Sequence, residues 1–202
     1  MSNTSAGSPS RRALLTLAGA LCLTVSFGCR RPAELPTLGN VGAFELIDQA
    51  GRPVNAEAMR GQVWAAAFFF TRCPTICPRI TRRMRDLQQA AAKEGVKLQL
   101  VSFSVDPEND TPEVLTAYAK QHGADTGSWR FLTGDLEVVR KTSELGFKLA
   151  LDGKATAGAE HFGLFHGSHL VLVDGSGQIR GYYRTSEDSQ MAQLLRDVAV
   201  LS

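Results

Sequence analysis

Cysteine is scarce in this chain of 202 residues: it has four, at positions 22, 29, 73 and 77, and the first two lie in an N-terminal stretch unlike the rest. One pair is then left for the folded body, which excludes a disulfide-stapled scaffold. Charge of one sign is lacking as well. The 22 basic and 20 acidic residues leave a net charge of +2 with no basic stripe along the chain, so nucleic acid is not an expected partner. No internal repeat is present, and no apolar run reaches the length of a comfortable membrane span. The uncharged stretch over residues 13–27 is 15 residues long, against about 20 for a spanning helix. What is present suits one compact domain with an appendage, since a second core needs more chain.

The appendage reads as an address. Arg11 and Arg12 precede the apolar stretch as the n-region precedes the h-region of an export signal. Ser26, Phe27, Gly28 and Cys29 resemble a bacterial lipobox, in which the cysteine is lipidated and becomes the new N-terminus. The residues around the arginine pair also resemble a twin-arginine signal, and an uncleaved anchor helix is the plain alternative. Each reading places the domain outside the cytoplasm, on the periplasmic side of a bacterial inner membrane. The expected organisation is a signal or lipoprotein-type anchor over 1–29, a linker rich in Pro and Gly over 30–40, and a domain over 41–202.

Within the domain, residues 44–48 and 53–54 flank a Gly-containing turn and predict an N-terminal β-hairpin. Residues 64–70, with three consecutive phenylalanines, predict a strand buried on both faces. Ile80, Met84, Leu87 and Ala91 recur at helical spacing up to Gly95, and a strand over 97–104 closes a βαβ unit. A helix over 112–121, a strand over 130–132, a helix reaching Gly146 and Phe147, a loop over 152–163, a hairpin over 169–183 and a final helix through Met191, Leu194, Leu195 and Val198 follow. A parallel opening and an antiparallel ending give an α/β fold: a thioredoxin-like mixed sheet with helices on both faces.

The chemistry gathers at Thr71, Arg72, Cys73, Pro74, Thr75, Ile76, Cys77 and Pro78, where the buried strand gives way to a helix. Ligands bind at that carboxyl end of open α/β sheets. Pro78 suits the first helical position, which makes Cys77 the expected cap and the expected thiolate. Three residues separate the cysteines. That spacing favours a shared metal ion over rapid disulfide cycling, because residues four apart on a helix stand about 5–6 Å apart and a disulfide needs less. An inert disulfide or two buried thiols is the structural alternative. A third ligand is sought among His122, His161, His166 and His169. His122 suits a helix end and His161 a loose loop. For His166, ahead of the strand that starts at His169, ligand and ordinary histidine stand level on the residues alone.

With these residues in view, the chain over roughly 41–200 resembles the SCO/SenC family of copper chaperones. Three motifs carry the resemblance: Thr71, Cys73, Pro74, Cys77 and Pro78; the stretch from Val101 to Pro112 that includes Asp106, Pro107 and Asp110; and His166 followed by an apolar strand and Asp174. It implies a thioredoxin-like fold, a membrane tether, and copper, as Cu(I) or Cu(II), bound by Cys73, Cys77 and His166. It also implies a role in building the binuclear copper centre of cytochrome c oxidase, with the oxidase's copper-bearing subunit or another copper chaperone as partner. Thr75 departs from the family, which commonly has Asp there. Asp110 reads as part of a capping box with Glu113 or as a metal contact, and Arg72 as a group that lowers a thiol pKa or as a solvated charge.

An oxidising compartment pushes the two thiols toward a disulfide, so a thiol reductant is a further expected partner. The main rival function is a thiol–disulfide oxidoreductase acting through Cys73 and Cys77, for which His166 is dispensable. A peroxidase-like enzyme and a zinc site are weaker alternatives.

Overall fold

The computed structural model describes residues 34–149 and 168–202. The expected loop over 152–163, His161, His166 and the whole N-terminal address, with Cys22 and Cys29, lie outside the described residues. Among the described residues no helix is long and apolar enough to cross a membrane.

The element order is β1 (Gly39–Asn40), β2 (Glu45–Asp48), β3 (Pro53–Asn55), β4 (Trp64–Phe69), α1 (Ile76–Glu94), β5 (Gln99–Ser104), α2 (Pro112–Gln121), β6 (Trp129–Thr133), α3 (Leu136–Lys141), β7 (His169–Val173), β8 (Gln178–Arg184) and α4 (Asp188–Leu201). The strands form one sheet in the order β1-β8-β7-β4-β5-β6-β2-β3. Strands β4, β5 and β6 run parallel, while β7 lies antiparallel to β4 and the β2–β3 hairpin extends the β6 edge. This is the mixed thioredoxin-like sheet that the alternation of elements predicts.

Strand β4 is buried at every position. Ala65, Ala67 and Phe69 face a core built with Ile80, Met84 and Leu87 of α1, Leu115 of α2, and Leu194 and Val198 of α4. Trp64, Ala66 and Phe68 face a second core with Phe44, Phe103, Val139 and Phe147. Helices therefore cover both faces. Two of the three β4 residues on the α1 side, Ala65 and Ala67, are small, which lets α1 lie close to the sheet. On the other face Phe147 fits edge-on against Trp64 and Phe68, with ring centroids 5.8 and 5.3 Å away. Truncation of such a ring to alanine costs about 3–5 kcal/mol.

The helix expected up to Gly146 and Phe147 is not uniform. Helix α3 ends at Lys141 and the chain widens into a π turn over Thr142–Gly146. A Cβ on Gly146 would sit 2.2 Å from the Val41 carbonyl oxygen, so only glycine allows this close approach. The stretch expected to be linker also ends earlier than 40. Gly39 and Asn40 already pair with Ile179 and Gln178 of β8, and the Arg180 guanidinium donates to the Leu35 carbonyl at 2.5 Å while pairing with Asp174 at 3.2 Å.

Candidate metal centre

Strand β4 ends at Phe69, and the turn that follows carries Thr71, Arg72 and Cys73 to the start of α1. Cys73 is 5% exposed and Cys77 is fully buried, and both are free thiols. The sequence places Cys77 as helix cap with Pro78 first in the helix. In the structure α1 starts at Ile76, Thr75 is the cap residue without a capping side-chain bond, and Pro78 is third. The physical reason is the Cys73 sulfur. It accepts the Cys77 N–H at 3.4 Å, and the Thr75 and Ile76 N–H groups also point their hydrogens at it. A sulfur thus serves the orphan donors of the first turn, and a proline inside that turn forfeits no bond.

This corrects the expected division of charge between the thiols. Burial raises the Cys73 pKa, but those N–H donors and the Cys77 thiol outweigh it and leave Cys73 below the ordinary thiol value. Burial pushes Cys77 far up, and its neighbours Cys73 and Asp110 push the same way, despite a hydrogen bond from the Phe70 N–H. Cys73 is therefore the thiolate-forming sulfur and, though buried, the less shielded of the two, while Cys77 is the proton-holding sulfur.

The motif around residues 101–112 clamps this turn. Asp110, fully buried, accepts hydrogen bonds from the Thr71 N–H at 3.1 Å, the Thr71 hydroxyl at 2.5 Å and the Ser104 hydroxyl at 2.5 Å. Asp110 is not the cap of α2, since the Thr111 hydroxyl accepts the Val114 N–H at 3.4 Å. The capping-box expectation fails because burial aims the Asp110 carboxylate at the cysteine turn instead of along its own helix. Burial raises the Asp110 pKa, with the Thr71 and Ser104 donors opposing. Arg72 pairs with Asp106 at 2.8 Å, and Asn109 donates to the same carboxylate at 2.8 Å. Sequence reasoning missed the Thr71–Asp110–Ser104 clamp, whose only trace was Asp110 inside an acidic, Pro-containing loop.

Cys73 and Cys77 are brought together as expected; the described histidines are not part of that pair. His122 ends α2 with its ring 4.2 Å from that of Tyr118, and burial with Arg85 and Arg82 lowers its pKa. Burial and Arg184 likewise lower His169. Among the described residues no cluster of three or more His, Cys, Asp or Glu stands ready for a metal. The register Trp64↔Val173, Ala65↔Leu172, Ala66↔Val171 runs β7 antiparallel to β4. The start of β7 therefore stands at the sheet end where β4 delivers the cysteines, and His166 lies three residues before it in sequence. Two adjacent buried sulfurs, one slightly exposed and one fully shielded, suit a soft metal ion or a thiol exchange.

The SCO1/SenC family profile matches residues 34–200. A SCO1/SenC family lipoprotein from Bacillus anthracis str. Ames is 33% identical with a TM-score of 0.73, over 85% of this chain and 98% of that one. BsSco, a member of the Sco family of cytochrome c oxidase assembly proteins with a disulfide switch, is 32% identical with a TM-score of 0.73, over 83% and 96%. The copper-bound ScoI of Bradyrhizobium japonicum is 25% identical with a TM-score of 0.64, over 77% and 97%.

Proposed function

The chain belongs to the SCO1/SenC family, and from that premise we propose that it is a tethered metallochaperone that carries copper to cytochrome c oxidase during assembly. Copper is its cargo, held by the Cys73 and Cys77 sulfurs with His166 as third ligand. The observation that carries this reading is the reduced, buried cysteine pair at the carboxyl end of β4, with the start of β7 at the same sheet end. Soft sulfur donors suit Cu(I), and an imidazole extends the site toward Cu(II). The copper-bound ScoI supports the choice of metal, and the membership of BsSco among oxidase assembly proteins supports the destination.

Delivery is ligand exchange without net redox change. An incoming sulfur or imidazole of the oxidase subunit displaces Cys73 first, because Cys73 is the less deeply buried of the two sulfurs. The Asp110 and Thr71 hydrogen bonds hold the turn while this happens. Loading needs both cysteines reduced, so an extracytoplasmic thiol reductant supplies two electrons and two protons whenever they form a disulfide. Lipidation of Cys29 tethers the domain to the membrane, a reading supported by the lipoprotein nature of the Bacillus anthracis relative.

A second reading, thiol–disulfide exchange, has its own support in the asymmetry of the pair: a low-pKa Cys73 to attack and a buried Cys77 to resolve. One experiment separates them. Oxidase activity is measured in a deletion strain complemented with wild type, Cys77→Ser or His166→Ala at equal protein levels. Both variants are expected to lose oxidase, with added copper restoring part of it for His166→Ala. Normal oxidase with His166→Ala beside none with Cys77→Ser would turn the assignment to the exchange reaction.

A further inference from the structure

The charge of this protein is balanced overall but not locally. Between Thr71 and Arg85 stand five arginines, Arg72, Arg79, Arg82, Arg83 and Arg85, and no carboxylate. Three of them have partners in the fold: Arg72 pairs with Asp106, Arg83 with Asp188 and Arg85 with Asp86. Arg79 and Arg82 are exposed and make no ion pair among the described residues. At three residues apart they are neighbours on the outer face of α1. With a rise of about 1.5 Å per residue, both lie within about 8 Å of Cys77 along the axis. Cys73, the less deeply buried of the two sulfurs, sits at the same helix end.

We propose that Arg79 and Arg82 form a docking surface for an acidic face of the protein that receives the copper, set beside that partner's own metal ligands. The proposal rests on the chaperone reading of the cysteine pair. Long cationic side chains held together without counter-ions repel one another, and a partner's carboxylates relieve that repulsion. Arginine rather than lysine suits this, since its planar fork grips a carboxylate in two places. A protein partner is favoured over a lipid surface by what the face lacks. The exposed large hydrophobic side chains among the described residues are Leu38, Val114, Leu145 and Val200. None is on α1, so no fully exposed large apolar side chain of that helix accompanies the arginines to enter a bilayer. Thr75, exposed at the cap of the same helix, adds no negative charge to this surface.

The test uses the full chain in detergent micelles, reduced and loaded with Cu(I), and as probe the soluble copper-bearing domain of the same cell's cytochrome c oxidase. The rate of copper transfer is followed against salt for wild type, Arg79→Glu/Arg82→Glu and Arg79→Lys/Arg82→Lys, with thermal melts and copper stoichiometry as controls. The glutamate pair is expected to bind copper like wild type but to transfer it at least about tenfold more slowly at low salt, and to lose most of the salt dependence. The lysine pair should keep the salt dependence. Transfer by the glutamate pair at the wild-type rate and salt slope would overturn the docking surface and leave the chaperone reading standing. The docking surface is equally overturned if the only loss is binding to vesicles of anionic phosphatidylglycerol, which would make the face a membrane contact. A wild type that binds or transfers no copper would instead remove the chaperone reading on which the proposal rests.

Discussion

At the scale of single residues, the two cysteines have the same chemistry in the sequence and opposite chemistry in the fold. Their spacing and their place at a strand end are legible in the primary structure. Which one ionises is not, because that depends on the donors aimed at each sulfur and on the water removed from it. Cys73 gains the N–H groups of the first helical turn, whereas Cys77 lies fully buried between sheet and helix. Iodoacetamide should therefore modify Cys73 in the reduced native protein with a pH midpoint below the ordinary thiol value of 9.0, and leave Cys77 untouched. Mass spectrometry of the alkylated peptides checks this; modification of Cys77 at the same rate would refute the assignment. A pKa raised in the folded state stabilises below the unfolded value and is lost as pH rises. In a Cys73→Ser background, Cys77 should accordingly make stability fall between about pH 9 and 10, by about 1 kcal/mol. Urea unfolding beside a Cys73→Ser/Cys77→Ala control isolates that loss.

At the scale of elements, the strands and helices follow from local pattern, and what fastens them does not. The Ile80, Met84, Leu87 and Ala91 spacing dictates α1, and the left-handed Gly95 ends it. Residues 30–40, by contrast, offer no apolar period, and their Pro and Gly content reads as linker. Leu35 and Thr37 are nonetheless fixed to β8 through Arg180, whose bond to the Leu35 carbonyl spans 145 positions. Its ion pair with Asp174 is largely buried, with side-chain exposures of 13% and 15%. Arg180→Ala is expected to destabilise the domain by about 2–4 kcal/mol, because it leaves Asp174 without its cation. It should also raise hydrogen exchange at the Leu38 amide, which donates to the Ile179 carbonyl at 2.8 Å. Unchanged exchange at Leu38 would show that the β1–β8 pairing holds this segment without the arginine.

At the scale of the whole molecule, oxidation state and cargo should act on one equilibrium. A ligand bound only by the folded protein stabilises it by about 2.7 kcal/mol at a hundredfold excess over Kd. For a domain of this size that raises Tm by about 5–10 °C. Buffered Cu(I) should give this shift to the reduced protein and none to the protein with a Cys73–Cys77 disulfide; equal shifts in differential scanning calorimetry would refute the thiolate site. The layering of the domain is written in the primary structure, because the period of apolar residues is a local property: continuous along β4, helical along α1, alternating at the β2–β3 hairpin. The place of Cys73 and Cys77, where a strand meets a helix, is written there too, since the change of period is equally local. Folding was needed to join Thr71, Ser104 and Asp110 into one clamp across 39 positions, to put the charge on Cys73 rather than Cys77, and to leave Arg79 and Arg82 without an ion-pair partner among the described residues. Desolvation and hydrogen-bond partnership depend on which side chains the folded chain brings within a few ångströms, and no periodicity records that.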